Sequence, residues 1–112
     1  MVRALLLALS LVLASVAHAH TALKSSSPEP DTTVTAPRTL ELTFSGDVRL
    51  TSVTLADSGG REKHLDAVPA AVASKFSLAI HEPLSAGKHT VVWRAVGGDT
   101  HIVSGEFAFV VR

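Results

Sequence analysis

The chain has 112 residues, enough for one domain, and its ten Lys and Arg balance ten Asp and Glu for a formal net charge of zero. That balance, with no basic patch and no polybasic tail, excludes nucleic-acid binding through phosphates and electrostatic capture by anionic lipid. There is no cysteine and the single methionine is Met1, so disulfides and sulfur-ligated metal sites are excluded too.

Arg3 opens an apolar run from Ala4 to Val16, and Ala17-His18-Ala19 closes it. A charged start, a short hydrophobic stretch and an A-x-A site describe a cleaved secretory leader. The run of about 13 residues falls short of the ~20 needed to span a bilayer. Residues 1–19 are therefore expected to be removed, leaving a domain of residues 20–112 that begins at His20 and carries one net negative charge. No later segment is long and apolar enough to span, so no stable membrane insertion is expected after processing.

The domain reads as strands. A short first strand is expected over Thr21 to Lys24, followed by an extended, turn-containing segment rich in Ser, Pro and Thr over residues 25–37. Leu40, Leu42 and Phe44 alternate with Glu41 and Thr43, the pattern of a half-buried strand. Val53 and Leu55 repeat it, and Asp57-Ser58-Gly59-Gly60 turns the chain. The small, apolar stretch from Asp66 to Ser74 carries no clear period. Phe76, Leu78 and Ile80 form another alternating strand. Pro83 and Ser85-Ala86-Gly87 mark a loop before a strand over Thr90 to Val96, in which Trp93 is expected to anchor the core. Phe107, Phe109 and Val111 alternate in the last strand. With no sustained helical period, the fold class expected is all-β: a small antiparallel sandwich or barrel, Greek key in connection.

Two elements carry chemistry. Once the leader is cut, His20 has a free α-amine beside its own imidazole, and the amine and Nδ1 can close a six-membered chelate ring on one metal. The amine has a reference pKa of ~7.7–8.0, so binding near neutral pH displaces a proton. The second element is Asp99-Thr100-His101. In extended chain, residues two apart share a side, with Cα atoms ~6.5–7 Å apart, so a carboxylate and an imidazole can converge on one ion. Together with His20 they supply three nitrogens and one oxygen. Tetragonal nitrogen and oxygen donors favour Cu(II), then Ni(II), over zinc. His64, His81 and His89 stand beside charged or polar neighbours and read as solvent-exposed surface histidines; His64 and His81 could at most form a weak secondary site.

The chain resembles the CopC/PcoC family of periplasmic copper-binding proteins across nearly all of the expected domain. The resemblance rests on His20-Thr21-Ala22-Leu23 directly after A-x-A, Ser26-Ser27-Pro28, Leu42-Thr43-Phe44-Ser45, and Gly87-Lys88-His89-Thr90-Val91-Val92-Trp93-Arg94. Most specific is Asp99-Thr100-His101-Ile102-Val103-Ser104-Gly105-Glu106-Phe107-Ala108-Phe109. It implies a cupredoxin-like or Ig-like β-barrel or sandwich, with one Cu(II) per mature chain held by His20, Asp99 and His101. It also implies a periplasmic carrier or buffer in copper homeostasis or resistance, cooperating with an inner-membrane CopD/PcoD-like copper transporter.

Three departures from the family pattern stand out. The family has glycine where Thr100 stands, and a β-branched residue disfavours positive φ, so the local turn is expected to differ. The family's Glu after Phe-Ser is replaced by Gly46, with Asp47 next; by alternation Asp47 faces away from the metal unless a bend intervenes. Every methionine of the Cu(I) site that some members carry is missing, which leaves no support for Cu(I)/Cu(II) exchange. Four protein donors close a square plane, which suits storage or transfer rather than catalysis, so no enzyme activity is expected. The competing readings are a histidine-brace copper oxygenase and a metal-free Ig-like interaction domain. The first is disfavoured because Asp99 would take the position where oxygen binds, and because four Phe, one Trp and no Tyr offer little to a polymer.

Overall fold

The computed structural model describes residues 22–112. The expected leader over residues 1–19, His20, and the start of the first expected strand at Thr21 lie outside the described residues. Six strands follow in order: β1 (Leu23–Ser27), β2 (Thr33–Val34), β3 (Thr39–Asp57), β4 (Ala73–Ala79), β5 (Gly87–Gly97) and β6 (Ile102–Val111). The described residues contain no helix, as the missing 3.6-residue period requires.

The first half of β3 lies between β1 and β4, antiparallel to both, with Leu42 opposite Ser26 on one side and Phe76 on the other. Its second half pairs instead with β5, from Val48 opposite Gly97 to Asp57 opposite His89. One strand therefore belongs to both layers of a curled sheet, and its register shift between Thr43 and Val48 marks where it passes from one to the other. A second irregularity between Leu50 and Ser52 sets the side-chain phase. Leu40, Leu42, Phe44, Val48 and Leu50 are buried at even positions, and Leu55 is buried at an odd one. An extra residue in a strand reverses which face is turned inward, which is why the two half-patterns in the sequence belong to one strand.

The core lies between the layers. Phe44 meets Phe76 and Trp93 edge-on, with ring centroids 5.9 and 5.1 Å away. Trp93 is buried, as expected, and lies across Gly105 of β6: a Cβ there would come within 2.8 Å of the indole. Glycine in the middle of this strand is the condition for the tryptophan to lie flat against it.

Two details depart from the expected layout. The first strand runs past Lys24 to Ser27, before a cis Ser27–Pro28 bond. The Ser/Pro/Thr segment then contributes the two-residue β2, which pairs with β6 in parallel, Thr33 opposite Val110. The chain crosses over before returning to that edge, so the sheet is not antiparallel throughout. The unassigned Asp66–Ser74 stretch is irregular and largely exposed up to β4.

Candidate metal centre

The loop from β5 to β6 holds Gly98, Asp99, Thr100 and His101. It is closed at its base by Gly97 N–H donating to the His101 carbonyl at 2.9 Å, and by Thr100 N–H donating to the Gly97 carbonyl at 3.0 Å. Asp99 folds over the loop: Oδ1 accepts from His101 N–H at 3.2 Å, and Oδ2 lies 2.8 Å from His101 Nδ1. An aspartate bonding to the backbone two residues on stabilises a turn by itself. The ring contact does more: a proton held on Nδ1 by a carboxylate puts the imidazole lone pair on Nε2, the arrangement that orients metal-binding histidines.

Both side chains are open to solvent, 45% exposed for Asp99 and 68% for His101. The hydrogen bond from the His101 side chain, and then the one from its backbone N–H, holds the Asp99 carboxyl below its ordinary value. Asp99 is therefore an anion at neutral pH, a hard oxygen donor beside a nitrogen donor. That pair fits a divalent ion of the copper–nickel–zinc series.

Thr100 adopts the backbone conformation that its β-branched side chain disfavours. Its φ is +66°, inside the left-handed region that glycine enters freely and β-branched residues avoid. The turn therefore holds a strained residue at its centre. The closure of the loop at Gly97 and the two bonds from Asp99 over-determine the conformation.

His20 lies outside the described residues, but two residues later the chain is fixed. Ala22 N–H donates to Ser45 Oγ at 2.9 Å, and Ser45 N–H donates to the Ala22 carbonyl at 2.8 Å. Ser45 stands at the crossing in β3, and Val48 just beyond it pairs with Gly97 at the foot of the Asp99 loop. Ala22 and the Asp99–His101 pair thus flank the same short stretch of β3. Asp47 lies in that stretch, exposed, lining a shallow groove with Gly97 and Gly98; Phe44 and Val48 on either side of it are both buried, so the alternation runs through unbroken and Asp47 stays on the outer face.

The other histidines divide. His89, expected at the surface, is fully buried. β5 begins at Gly87 rather than Thr90, which puts His89 in phase with Val91, Trp93 and Ala95 on the core face. Its Nε2 donates to the Ser85 carbonyl at 2.7 Å, its ring stacks on Phe109 at 5.8 Å, and its buried Nδ1 has no partner. His64 and His81 are exposed as expected, and their rings lie beside each other. Among the described residues, no group of three or more His, Asp or Glu side chains is arranged to hold an ion by itself. Sequence reading missed the Ser45 clasp on Ala22; an A-x-A site followed three residues later by an edge strand is the signal that could have pointed to such an anchor.

Residues 23–112 match the CopC domain family. Copper resistance protein C of Escherichia coli is 34% identical over 106 residues, covering 86% of this chain and 84% of that protein. Copper resistance protein C of Xanthomonas campestris pv. juglandis is 32% identical over 116 residues, covering 96% and 91%. Among solved structures, PcoC, a methionine-rich copper resistance protein from Escherichia coli, superposes with a TM-score of 0.69 at 34% identity over 84% of this chain and 100% of that one. CopC from Methylosinus trichosporium OB3b gives a TM-score of 0.71 at 29% identity over 82% and 93%.

Proposed function

The chain belongs to the CopC family of copper resistance proteins, and from that premise we propose that it is a periplasmic Cu(II) carrier or buffer that holds one ion per mature chain. In this reading residues 1–19 are an export signal, and cleavage makes His20 the first residue. Its amine and Nδ1 bind the ion together with the His101 imidazole and the Asp99 carboxylate. The described residues contain no helix long and apolar enough to cross a membrane; in this reading, on the strength of the family resemblance, delivery goes to an inner-membrane transporter of the CopD/PcoD type.

The observation that carries the reading is the held pair: an ionised carboxylate 2.8 Å from an imidazole nitrogen, in a loop adjoining the stretch of β3 to which Ala22 is clasped. The donor chemistry fits copper rather than a softer site, because the chain has no cysteine and its one methionine is Met1. Binding by both Asp99 and His101 requires their mutual hydrogen bond to open, with Asp99 turning from partner to ligand; with that bond kept, Asp99 instead orients the ring. Release is favoured by acid, since protons compete for amine and imidazole.

The test is N-terminal mass determination of protein taken from the cell envelope, followed by EPR of its copper-loaded form. The expected result is a chain starting at His20 with a tetragonal signal coupled to nitrogen. One residue added before His20 should cost more than the ~10–100-fold in affinity typical of disturbing a ligand's hydrogen-bond partner. A different first residue, or unchanged affinity in the extended chain, overturns the reading.

A further inference from the structure

At the opposite end of the sandwich, a second set of metal-capable side chains is assembled from two distant stretches of chain. Residues 61–66 run back along the end of β3, through a bridge between Ala56 and Glu62, and reach the exit of β4 through a bridge between Leu65 and Ile80. His81 N–H donates to the His64 carbonyl at 2.8 Å, which sets the two histidines side by side. Their ring centroids are 5.2 Å apart with planes 47° apart, and both residues are exposed.

The spacing has a chemical meaning. With metal–nitrogen bonds of ~2.0–2.1 Å, each ring centroid of a coordinated imidazole sits ~3.2 Å from the ion, and two rings at ~90–110° around it have centroids ~4.5–5.2 Å apart. The His64–His81 distance falls at the upper end of that span. Asp66 supplies the remaining feature. Its Oδ1 meets Nε2 of His81 while Oδ2 accepts from Ala79 N–H at 2.9 Å, so the carboxylate is fixed to the sheet and holds the outer nitrogen of His81. With its proton on Nε2, His81 has its lone pair on Nδ1, the second-sphere arrangement that tunes a histidine for metal. Glu82 is occupied structurally, accepting from His64 N–H at 3.0 Å and facing Lys63 Nζ at 3.6 Å.

We infer that, in addition to the single ion of the proposed copper centre, His64 and His81 can take a second divalent transition metal, as a two-imidazole chelate completed by water, with Asp66 as the positioning residue of His81. Nitrogen donors without sulfur select Cu(II), Ni(II) and Zn(II), with Cu(II) the tightest. The site does not depend on His20, Asp99 or His101: the 11 residues of β5, Gly87 to Gly97, run between the two ends, a rise of about 30 Å.

The test uses Cu(II) and the protein carrying Asp99→Asn and His101→Gln, which removes the described part of the first site and leaves this one intact. Amide resonances are followed by NMR as substoichiometric Cu(II) is added. Paramagnetic broadening is expected at residues 64–66 and 80–82. It should vanish when His64→Gln or His81→Gln is added, with amide shifts elsewhere in the sheet unchanged, and Asp66→Asn should weaken binding by ~10–100-fold. Absence of broadening at these positions, or its persistence in both glutamine variants, overturns the inference. Failure of the first site shows separately, as copper binding that Asp99→Asn and His101→Gln do not alter.

Discussion

At one end of the sandwich Asp99 reaches His101 two positions along the chain; at the other Asp66 reaches His81 across fifteen. The chemistry is the same, a carboxylate on an imidazole nitrogen, but the scaffolds differ. The Asp99 pair is local: one loop, one residue in the left-handed region and two closing hydrogen bonds at Gly97 set it. The Asp66 pair exists only if residues 61–66 are laid against the exit of β4, which depends on the Leu65–Ile80 bridge and on Lys63 spanning Asp57 at 3.3 Å and Glu82 at 3.6 Å. A local pair is present wherever its loop is closed. A pair made by tertiary contact vanishes when the segment lifts, and such segments open at lower free energy than core strands.

The sharpest way to separate the two ends is to remove one histidine from each. His101→Ala is expected to lower Cu(II) affinity at the tighter site by more than ~100-fold, beyond what loss of an orienting partner costs, while His81→Ala should change that same constant by less than about 3-fold. Competition titration against a chelator of known affinity measures both. Equal effects would mean that the ends are coupled, or that His101 is not a ligand.

His89, buried in the core, separates stability from binding. Truncation to Ala leaves a cavity against Phe109 and strands the Ser85 carbonyl, so unfolding free energy should drop by about 2–4 kcal/mol with the copper EPR spectrum unchanged. Denaturant melts report the first and EPR the second; a changed spectrum would make His89 part of the copper centre despite its burial.

A smaller effect is expected in acid. Asp57 sits at the turn that starts the 61–66 segment, with Oδ1 accepting from Gly59 and Arg61 N–H at 2.9 and 3.0 Å. Its carboxyl is held below the ordinary value of 3.8, first by the Arg61 backbone bond, with Lys63 adding to it. A carboxyl lowered in the folded state contributes stability above its unfolded pKa and loses it as pH falls through the folded one. Melting temperature should therefore decline below about pH 4, and Asp57→Asn should flatten that decline while lowering stability at neutral pH. An acid limb of unchanged slope would show that the turn carries none of it.

The contrast between the ends also explains what the sequence disclosed. Alternation marked the strands around Leu40–Phe44, Phe76–Leu78, Trp93 and Phe107–Val111, because one face of each is buried. It could not show that β3 is continuous, since the irregularity at Leu50–Ser52 reverses the phase and makes one strand look like two. It misplaced His89 because the apolar run was started at Thr90, three residues inside β5. Asp99-Thr100-His101 was legible because its partners are two apart; His64 and His81 were paired only by residue type and Asp66 not at all, because a bridge between Leu65 and Ile80 leaves no periodic trace. The parallel pairing of β2 with β6 is equally silent: two residues cannot show a period.

Thr100 offers the finest test of how the local pair is kept. A non-glycine residue in the left-handed region costs about 1–2 kcal/mol, and Thr100 sits there at φ +66°. Glycine removes that cost but gains freedom in the unfolded chain worth roughly 0.5–1 kcal/mol. Thr100→Gly should therefore leave stability level or raise it by up to about 1 kcal/mol. Because Asp99 and the Gly97 closure set the turn independently of the residue between them, Cu(II) affinity should shift by less than about 2-fold, well inside the range that a lost orienting partner produces. Thr100→Pro is the counter-test: proline fixes φ near −65° and removes the N–H that donates to the Gly97 carbonyl, so the loop must open and Asp99 and His101 must part. If glycine destabilised the fold as proline does, the threonine side chain itself, and not the backbone shape, would be holding the carboxylate on the imidazole.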